Sequence, residues 1–182
     1  MPTSTSWERL RIVIYKTRFG RGLLQWRGEL LVSHRLPGRQ RQGRPAYVET
    51  EEKSMEQTAA AAENTVAARN LAAQLEAYFS GRPVGFDPMA MPLEMSGWSG
   101  FEIDVAKALA AVPYGSRVSY GRLAALAGHP GAHRAVGNFL AKNPFPVILP
   151  CHRVILASGK AGNFSAGATW KQRLLELEGI VI

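Results

Sequence analysis

The sequence predicts an α+β protein of two domains: a small α/β N-terminal domain with an antiparallel sheet, and a mostly helical C-terminal domain holding a helix-turn-helix. Three observations carry that prediction. The first ~35 residues are short apolar runs separated by Gly-containing turns, the pattern of strands. Helical periodicity dominates the second half. Between them, "GRPVGFDPMAMPLEMSGWSG" breaks all periodicity and places the domain boundary inside residues 83–99, giving domains of 1–97 and 98–182.

Taken in order, "RLRIVIYKT", "GLLQWRG" and "ELLVSHRL" are the expected strands. Residues 37–52, "PGRQRQGRPAYVETEE", carry turn and charge signals without a period and predict a surface loop. "NTVAARNLAAQLEAYFSG" predicts a helix, because Leu71, Leu75, Tyr78 and Phe79 fall on one face and Ser80-Gly81 ends it. A second helix is expected from about Phe101 to Val112, with Phe101, Val105 and Leu109 as its buried stripe and Pro113-Tyr114-Gly115 as its stop. "VSYGRLAALAGHPGAHRAVGNFLAKNP" reads as two short helices. Ser119 caps the first, Leu123, Leu126 and Ala127 line its inner face, and Gly128-His129-Pro130 breaks it. The second runs from about Ala132 to Ala141, until Asn143-Pro144. Two short helices joined by a Gly-containing turn match a helix-turn-helix, a pattern also found in proteins that never touch DNA.

Bulk composition narrows the class. At 182 residues, 46% hydrophobic and 20% charged, the chain can bury a real core. Its single cysteine excludes an internal disulfide framework and a Cys-rich zinc site. The N-terminal apolar run Ile12–Tyr15 is too short for a signal peptide, and no segment approaches the ~18 apolar residues of a membrane span. A cytoplasmic, non-membrane protein is the expectation. Net charge is +8. Between Val105 and Leu175 there are nine Lys or Arg and no Asp or Glu, so this half would present a positive face to phosphates. A merely solubilising surface is the alternative.

Two local features suggest chemistry. On the second short helix, Ala132, Ala135 and Gly137 are small and Arg134 projects among them. Small residues permit close approach of another surface, and one long cation could reach into a groove or a base stack. Then "NPFPVILPCHRVI" delivers Cys151 behind Pro144, Pro146 and Pro150, with His152 next in sequence and the polar, Gly-rich "ASGKAGNFSAGA" following. A lone cysteine in apolar sequence is commonly inert core. A reactive one needs a nearby base or positive potential, which His152, Arg153 and the acid-free surroundings could supply.

"NPFPVILPCHRVI", followed by "GNFSAG" and "KQRLLELEG", resembles the O6-alkylguanine-DNA alkyltransferases, the methylated-DNA–protein-cysteine methyltransferases. The resemblance covers about residues 66–182, with "QLEAYFSG", "VPYGSRVSYGRLAALAG" and "RAVGNFLAKNP" in the family's order, while the N-terminal part is similar only in its strand pattern. It implies a ribonuclease H-like N-terminal domain and a winged-helix-like C-terminal one. It also implies transfer of an alkyl group from O6-alkylguanine, and from O4-alkylthymine, in double-stranded DNA to Cys151, once per molecule and without a cofactor, by a monomer.

On the same resemblance, His152 takes the thiol proton through a water, Glu178 orients His152, and Asn143 braces the turn. Tyr120 hydrogen-bonds or protonates the leaving guanine. The Ser165 N–H faces O6, and the carbonyls of Cys151 and Val154 read the exocyclic amine. Arg134 fills the gap left by the flipped base, with Ala132, Ala135 and Gly137 in the minor groove. Without the family match, Glu178 would read as a solvated residue in the last turn of its helix, where the macrodipole disfavours an anion.

The chain departs from the family in the loop that usually reads Asn-Tyr-Ser-Gly-Gly. Here it is Asn163-Phe164-Ser165-Ala166-Gly167, where Phe164 keeps a stacking ring and Ala166 adds a methyl group near the pocket. Without N-terminal cysteines, neither the structural zinc of some relatives nor a Cys-rich regulatory module is expected, which suggests a stand-alone protein. A non-catalytic lesion sensor and a cysteine hydrolase are the rival readings.

Overall fold

The computed structural model describes residues 10–38 and 66–182. The loop expected at 37–52 therefore lies almost wholly outside the described residues. The chain divides into two compact units, residues 1–82 and 83–182.

In the first unit, β1 (Leu10–Thr17), β2 (Gly20–Arg27) and β3 (Leu30–Gly38) form an antiparallel meander in the order β1-β2-β3. The β1–β2 register runs from Leu10 opposite Arg27 to Thr17 opposite Gly20. That leaves a two-residue turn in which Thr17 Oγ1 donates to the Gly20 carbonyl and Gly20 takes a φ of 113°. Helix α1 (Val66–Phe79) packs on β1. Its Leu71, Leu75, Tyr78 and Phe79 are buried as the periodicity requires, together with Val13, Tyr15, Leu24, Trp26 and Leu31 of the sheet. The fit is close at Gly22, where any Cβ would fall 2.0 Å from Tyr15 Cζ.

The second unit is built on helices α2 (Gly100–Ala110), α3 (Tyr120–Leu126), α4 (His133–Ala141) and α5 (Ala168–Leu177). Ser99 and Glu102 form a reciprocal capping box at the start of α2. The buried stripe of α2 is Val105, Ala106 and Leu109 rather than one that includes Phe101. Phe101, in the first turn, is half-buried and lies edge-on to His129 at 4.9 Å. Ser119 caps α3 as expected, accepting from the Arg122 N–H. Leu126, in contrast, is 52% exposed. A seven-residue helix makes only two turns, and its inner face is Leu123 and Ala124, so Leu126 points away from the core.

Beyond α4, a loop leads into a single 3₁₀ turn, Cys151–Arg153. Two-residue strands β4 (Val118–Ser119) and β5 (Val154–Ile155) then pair in parallel, Val118 with Val154 and Ser119 with Ile155. This bridge brings the start of α3 beside the end of the cysteine turn. Among the described residues the architecture is a mixed α/β one with five helices and a small antiparallel sheet. No helix among them is long and apolar enough to cross a membrane.

Candidate active site

The cysteine loop is held from within by one amide. Asn143 follows the end of α4, and its Oδ1 accepts from the Phe145 N–H at 2.9 Å. Its Nδ2 donates to the Leu149 carbonyl at 2.9 Å and to Cys151 Sγ at 3.0 Å. The Leu149 N–H returns to the Phe145 carbonyl at 2.8 Å. Between them Val147 adopts a φ of 73°, a left-handed conformation that a β-branched residue takes only under strain of about 1–3 kcal/mol. The buried Phe145, Val147, Ile148 and Leu149 anchor the strained loop, and the 3₁₀ turn presents Cys151, itself buried, at its end.

Behind Cys151 lies a buried charge cluster. Glu178 Oε1 accepts from His152 Nε2 at 2.8 Å. The Glu178 carboxylate also takes a forked pair of bonds from Arg153 Nε and Nη2, and the Gly115 N–H at 3.0 Å. Arg153 Nη1 donates to the Val112 carbonyl at 2.6 Å, and its guanidinium lies over the Tyr114 ring. Tyr114 Oη donates to the Leu177 carbonyl at 2.9 Å. The turn after α2 and the end of α5 are thus laced together around one carboxylate. Glu178 is the C-cap of α5 rather than part of its last turn, and only 6% exposed, so the solvated reading does not hold. The macrodipole penalty expected for an anion there is offset by four N–H donors, from three residues, to its carboxylate.

The protonation states follow from burial and these partners. Burial pushes Glu178 up, but hydrogen bonds from His152 and Arg153, and the charges of both, outweigh it and bring the carboxyl down to about 2. Burial lowers His152 despite the opposing effect of Glu178, so the imidazole is neutral near pH 7. A carboxylate only accepts, so the proton sits on Nε2 and Nδ1 keeps its lone pair, the form of a base. Burial pushes the Cys151 thiol up to about 11, against the Asn143 hydrogen bond, the charge of Lys171 and two backbone N–H groups. The resting group is a protonated thiol whose ionisation the surrounding donors favour.

Tyr120 begins α3 and is half-buried. Its pKa is raised by burial and by the negative charge Cys151 would carry. The glycines on either side of its ring are Gly137 of α4, where a Cβ would lie 3.9 Å away, and Gly162, where one would lie 3.7 Å away. Gly137 is half-buried, while Arg134 and Ala135 are exposed and Ala132 caps the helix without a side-chain bond. Val154 is buried in β5. Phe164 is half-buried, whereas Ser165 and Ala166 are exposed in the turn before α5. Among the described residues no group of three or more His, Cys, Asp or Glu could hold a metal.

The structure therefore brings together Cys151, Asn143, His152, Glu178 and Tyr120, and adds Tyr114 and Lys171, which the sequence did not single out, while Arg153, expected to lend positive potential to the thiol, is committed to Glu178. Lys171 had a readable signal: it shares the i, i+3, i+4, i+7 face of α5 with Leu174, Leu175 and Glu178, where a cation is out of place.

A buried thiol held by an amide and followed in sequence by a neutral imidazole on an ionised carboxylate defines a protein of the class built around one cysteine. Comparison with known proteins narrows that class. Residues 100–180 match the family described as 6-O-methylguanine DNA methyltransferase, DNA binding domain. The chain is 48% identical over 105 residues to a methylated-DNA–protein-cysteine methyltransferase of Mycobacterium bovis, a match spanning 58% of this chain and 61% of that protein. It superimposes on a variant of the Mycobacterium tuberculosis O6-methylguanine methyltransferase with a TM-score of 0.68 and 34% identity, covering 93% of each chain. The corresponding values for Mycobacterium tuberculosis OGT in complex with DNA are 0.65 and 32%, again over 93% of each chain. The chain belongs to the methylated-DNA–protein-cysteine methyltransferase family.

Proposed function

We propose that this protein repairs DNA by transferring the alkyl group, methyl foremost, from O6-alkylguanine, and from O4-alkylthymine, to its own Cys151. The carrying observation is the Asn143–Cys151–His152–Glu178 arrangement, in which a donor stands 3.0 Å from the sulfur and the next residue is a neutral base held by a carboxylate. The step balances simply. The thiol proton passes to His152 through a water, the sulfur attacks the alkyl carbon, and the S–C bond forms as the C–O6 bond breaks. The electron pair left on guanine is neutralised by a proton or hydrogen bond from Tyr120. A thioether has no easy route back to a thiol, so each molecule acts once.

The base must leave the stack to reach the buried sulfur. Arg134, exposed on α4, fills the vacated space, and Ala132, Ala135 and Gly137 allow α4 into the minor groove. The Ser165 N–H faces O6, Phe164 stacks at the pocket edge, and the carbonyls of Cys151 and Val154 accept from the exocyclic amine. The Val154 carbonyl already receives Lys171 Nζ at 2.6 Å, and its second lone pair serves the base. Double-stranded DNA is the partner, held largely through phosphates. The relative solved with DNA and the acid-free basic segment support that part of the reading. The meander with its helix suits a ribonuclease H-like N-terminal domain. The helix pair with its short β4–β5 bridge suits a winged-helix-like C-terminal one, in a monomer acting in the cytoplasm.

Incubation with a duplex containing one O6-methylguanine, followed by intact-mass measurement, tests the reading. Wild type should gain about 14 Da, one methyl group replacing one hydrogen on a covalent acceptor, and Cys151→Ala should gain nothing. Binding without a mass change would convert the reading to that of a lesion sensor.

A further inference from the structure

Lys171 is completely buried in α5. Its Nζ donates to the Val154 carbonyl at 2.6 Å and, weakly, to the Asn163 carbonyl at 3.4 Å, and it lies 5.9 Å from the centre of the Tyr120 ring. Among the described residues no carboxylate forms an ion pair with it. A buried ammonium satisfied only by carbonyls and a ring face is unfavourable unless an anion appears beside it. The chemistry generates one such anion here, the Cys151 thiolate.

We propose that Lys171 is a positioning residue of alkyl transfer: it supplies the positive potential under which the Cys151 thiolate forms, while its hydrogen bond fixes the Val154 carbonyl. The inference rests on the transfer reading above. Lys171 gains and loses no proton in the step; the thiol proton goes to His152. Helix α5 thus serves both partners from one face. Lys171 acts on the sulfur side, and Glu178, two turns on, acts behind the base. The mutual effect of the two groups agrees with this. The Lys171 charge lowers the thiol and the thiolate raises the ammonium, which burial otherwise brings down to about 8. The titratable and charged groups around the thiol are His152 and Arg153 on its own turn, Tyr120 from α3, Tyr114 from the turn after α2, and Lys171 and Glu178 from α5. Of these, Lys171 is the cation not already committed to a carboxylate.

Because Cys151 is the chain's single cysteine, iodoacetamide followed by intact mass reports on it alone, with no DNA present. The rate is measured from pH 6 to 10 for wild type, Lys171→Met, Lys171→Gln and Lys171→Arg, with the melting temperature of each. Gln keeps a donor for Val154 and carries the test if Met fails to fold. Throughout this range the thiol is mostly protonated, so the rate follows the small thiolate fraction, and we expect Met and Gln to lower it about tenfold at pH 7 and Arg to restore it. Unchanged rates in Met and Gln, even with lowered melting temperatures, would reduce Lys171 to a packing residue and overturn the proposal. Methyl transfer from DNA is assayed separately. If wild type alkylates with iodoacetamide but takes no methyl from DNA, the repair reading fails while the role of Lys171 at the thiol stands or falls on these rates.

Discussion

Asn143 Nδ2 stands 3.0 Å from Cys151 Sγ while its Oδ1 holds the Phe145 N–H at 2.9 Å, so one side chain both shapes the loop and donates to the sulfur. Substitution separates the Phe145 acceptor from the donor side. Asn143→Asp keeps the acceptor for Phe145 but removes the donor shared by the Leu149 carbonyl and the sulfur, and adds a negative charge beside them. Asn143→Ala removes both and strands the buried Leu149 carbonyl and Phe145 N–H. We expect Ala to lower stability by roughly 1–3 kcal/mol, read by urea unfolding. Asp should retain more of the stability but slow methyl transfer at least tenfold at pH 7.5, with the thiol titrating at higher pH. A fast Asp variant would show that the sulfur does not need this donor.

Glu178 makes stability depend on pH in a definite direction. Its folded pKa of about 2 lies below the ordinary 4.5. The unfolded chain therefore binds more protons on acidification, and the stabilisation present above pH 4.5 is lost as pH falls toward 2. His152, lowered by burial, acts in the same direction below its ordinary 6.5. Denaturation midpoints of wild type should fall steadily below pH 6.5 and steeply below 4.5. Glu178→Gln should flatten the lower part of that curve. At pH 7 it should also be less stable by about 3 kcal/mol or more, since Arg153 is left buried without its carboxylate. Equal acid sensitivity in Gln would place the titrating group elsewhere.

How much of this was legible before the structure differs by region, for physical reasons. Strands β1–β3 announce themselves through short apolar runs cut by Gly turns, and α1 through an uninterrupted apolar stripe. Cys151 and His152 stand out because the prolines and the adjacency mark them, whereas Asn143 is reached only through the family resemblance. Short helices mislead: over seven residues the periodicity of α3 cannot separate Leu126 from Ala124, and at the start of α2 Phe101 satisfies the spacing yet lies partly outside the core. The two-residue β4–β5 bridge leaves no pattern to find. Nothing in the residue type of Val147 suggests a left-handed backbone. Arg153 reads as a source of positive potential for the thiol until its carboxylate partner, 25 residues away, is placed beside it.

Gly162 is packed tightly against Leu156 and Tyr120. With φ at 71°, it would place a Cβ 3.2 Å from Leu156 Cγ and 3.7 Å from Tyr120 Cε2. Gly162→Ala combines left-handed strain of about 1–2 kcal/mol with pressure on the Leu156 side chain and the Tyr120 ring. A melting temperature lower by several degrees is expected. Transfer from an O6-benzyl adduct should slow more than transfer from O6-methyl, because the benzyl group needs the space that Leu156 and Tyr120 would be pushed into. Parallel losses for both adducts would mean that these residues move as a unit and set no size limit.

Arg134 separates two ways a cation can serve DNA. It is exposed in the first turn of α4, whose N-cap, Ala132, offers no side-chain bond. If it only contacts phosphate, Arg134→Ala weakens binding to every duplex alike and reduces the slope of log K against log salt by about one. If it fills the gap behind a flipped base, binding to unmodified duplex and its salt slope barely change. Methyl transfer from duplex then falls by tenfold or more, and transfer from single-stranded DNA or the free O6-benzylguanine base is spared, because those substrates have no stack to reclose. We expect the second pattern, since the small Ala135 beside Arg134 leaves room for close approach rather than adding further phosphate donors. Fluorescence anisotropy over a salt series, paired with single-turnover transfer on the three substrates, distinguishes them. Weaker binding to every duplex with the salt slope lowered by about one, and the phosphate-free O6-benzylguanine base spared, would assign Arg134 to the phosphates and require another residue to hold the opened stack.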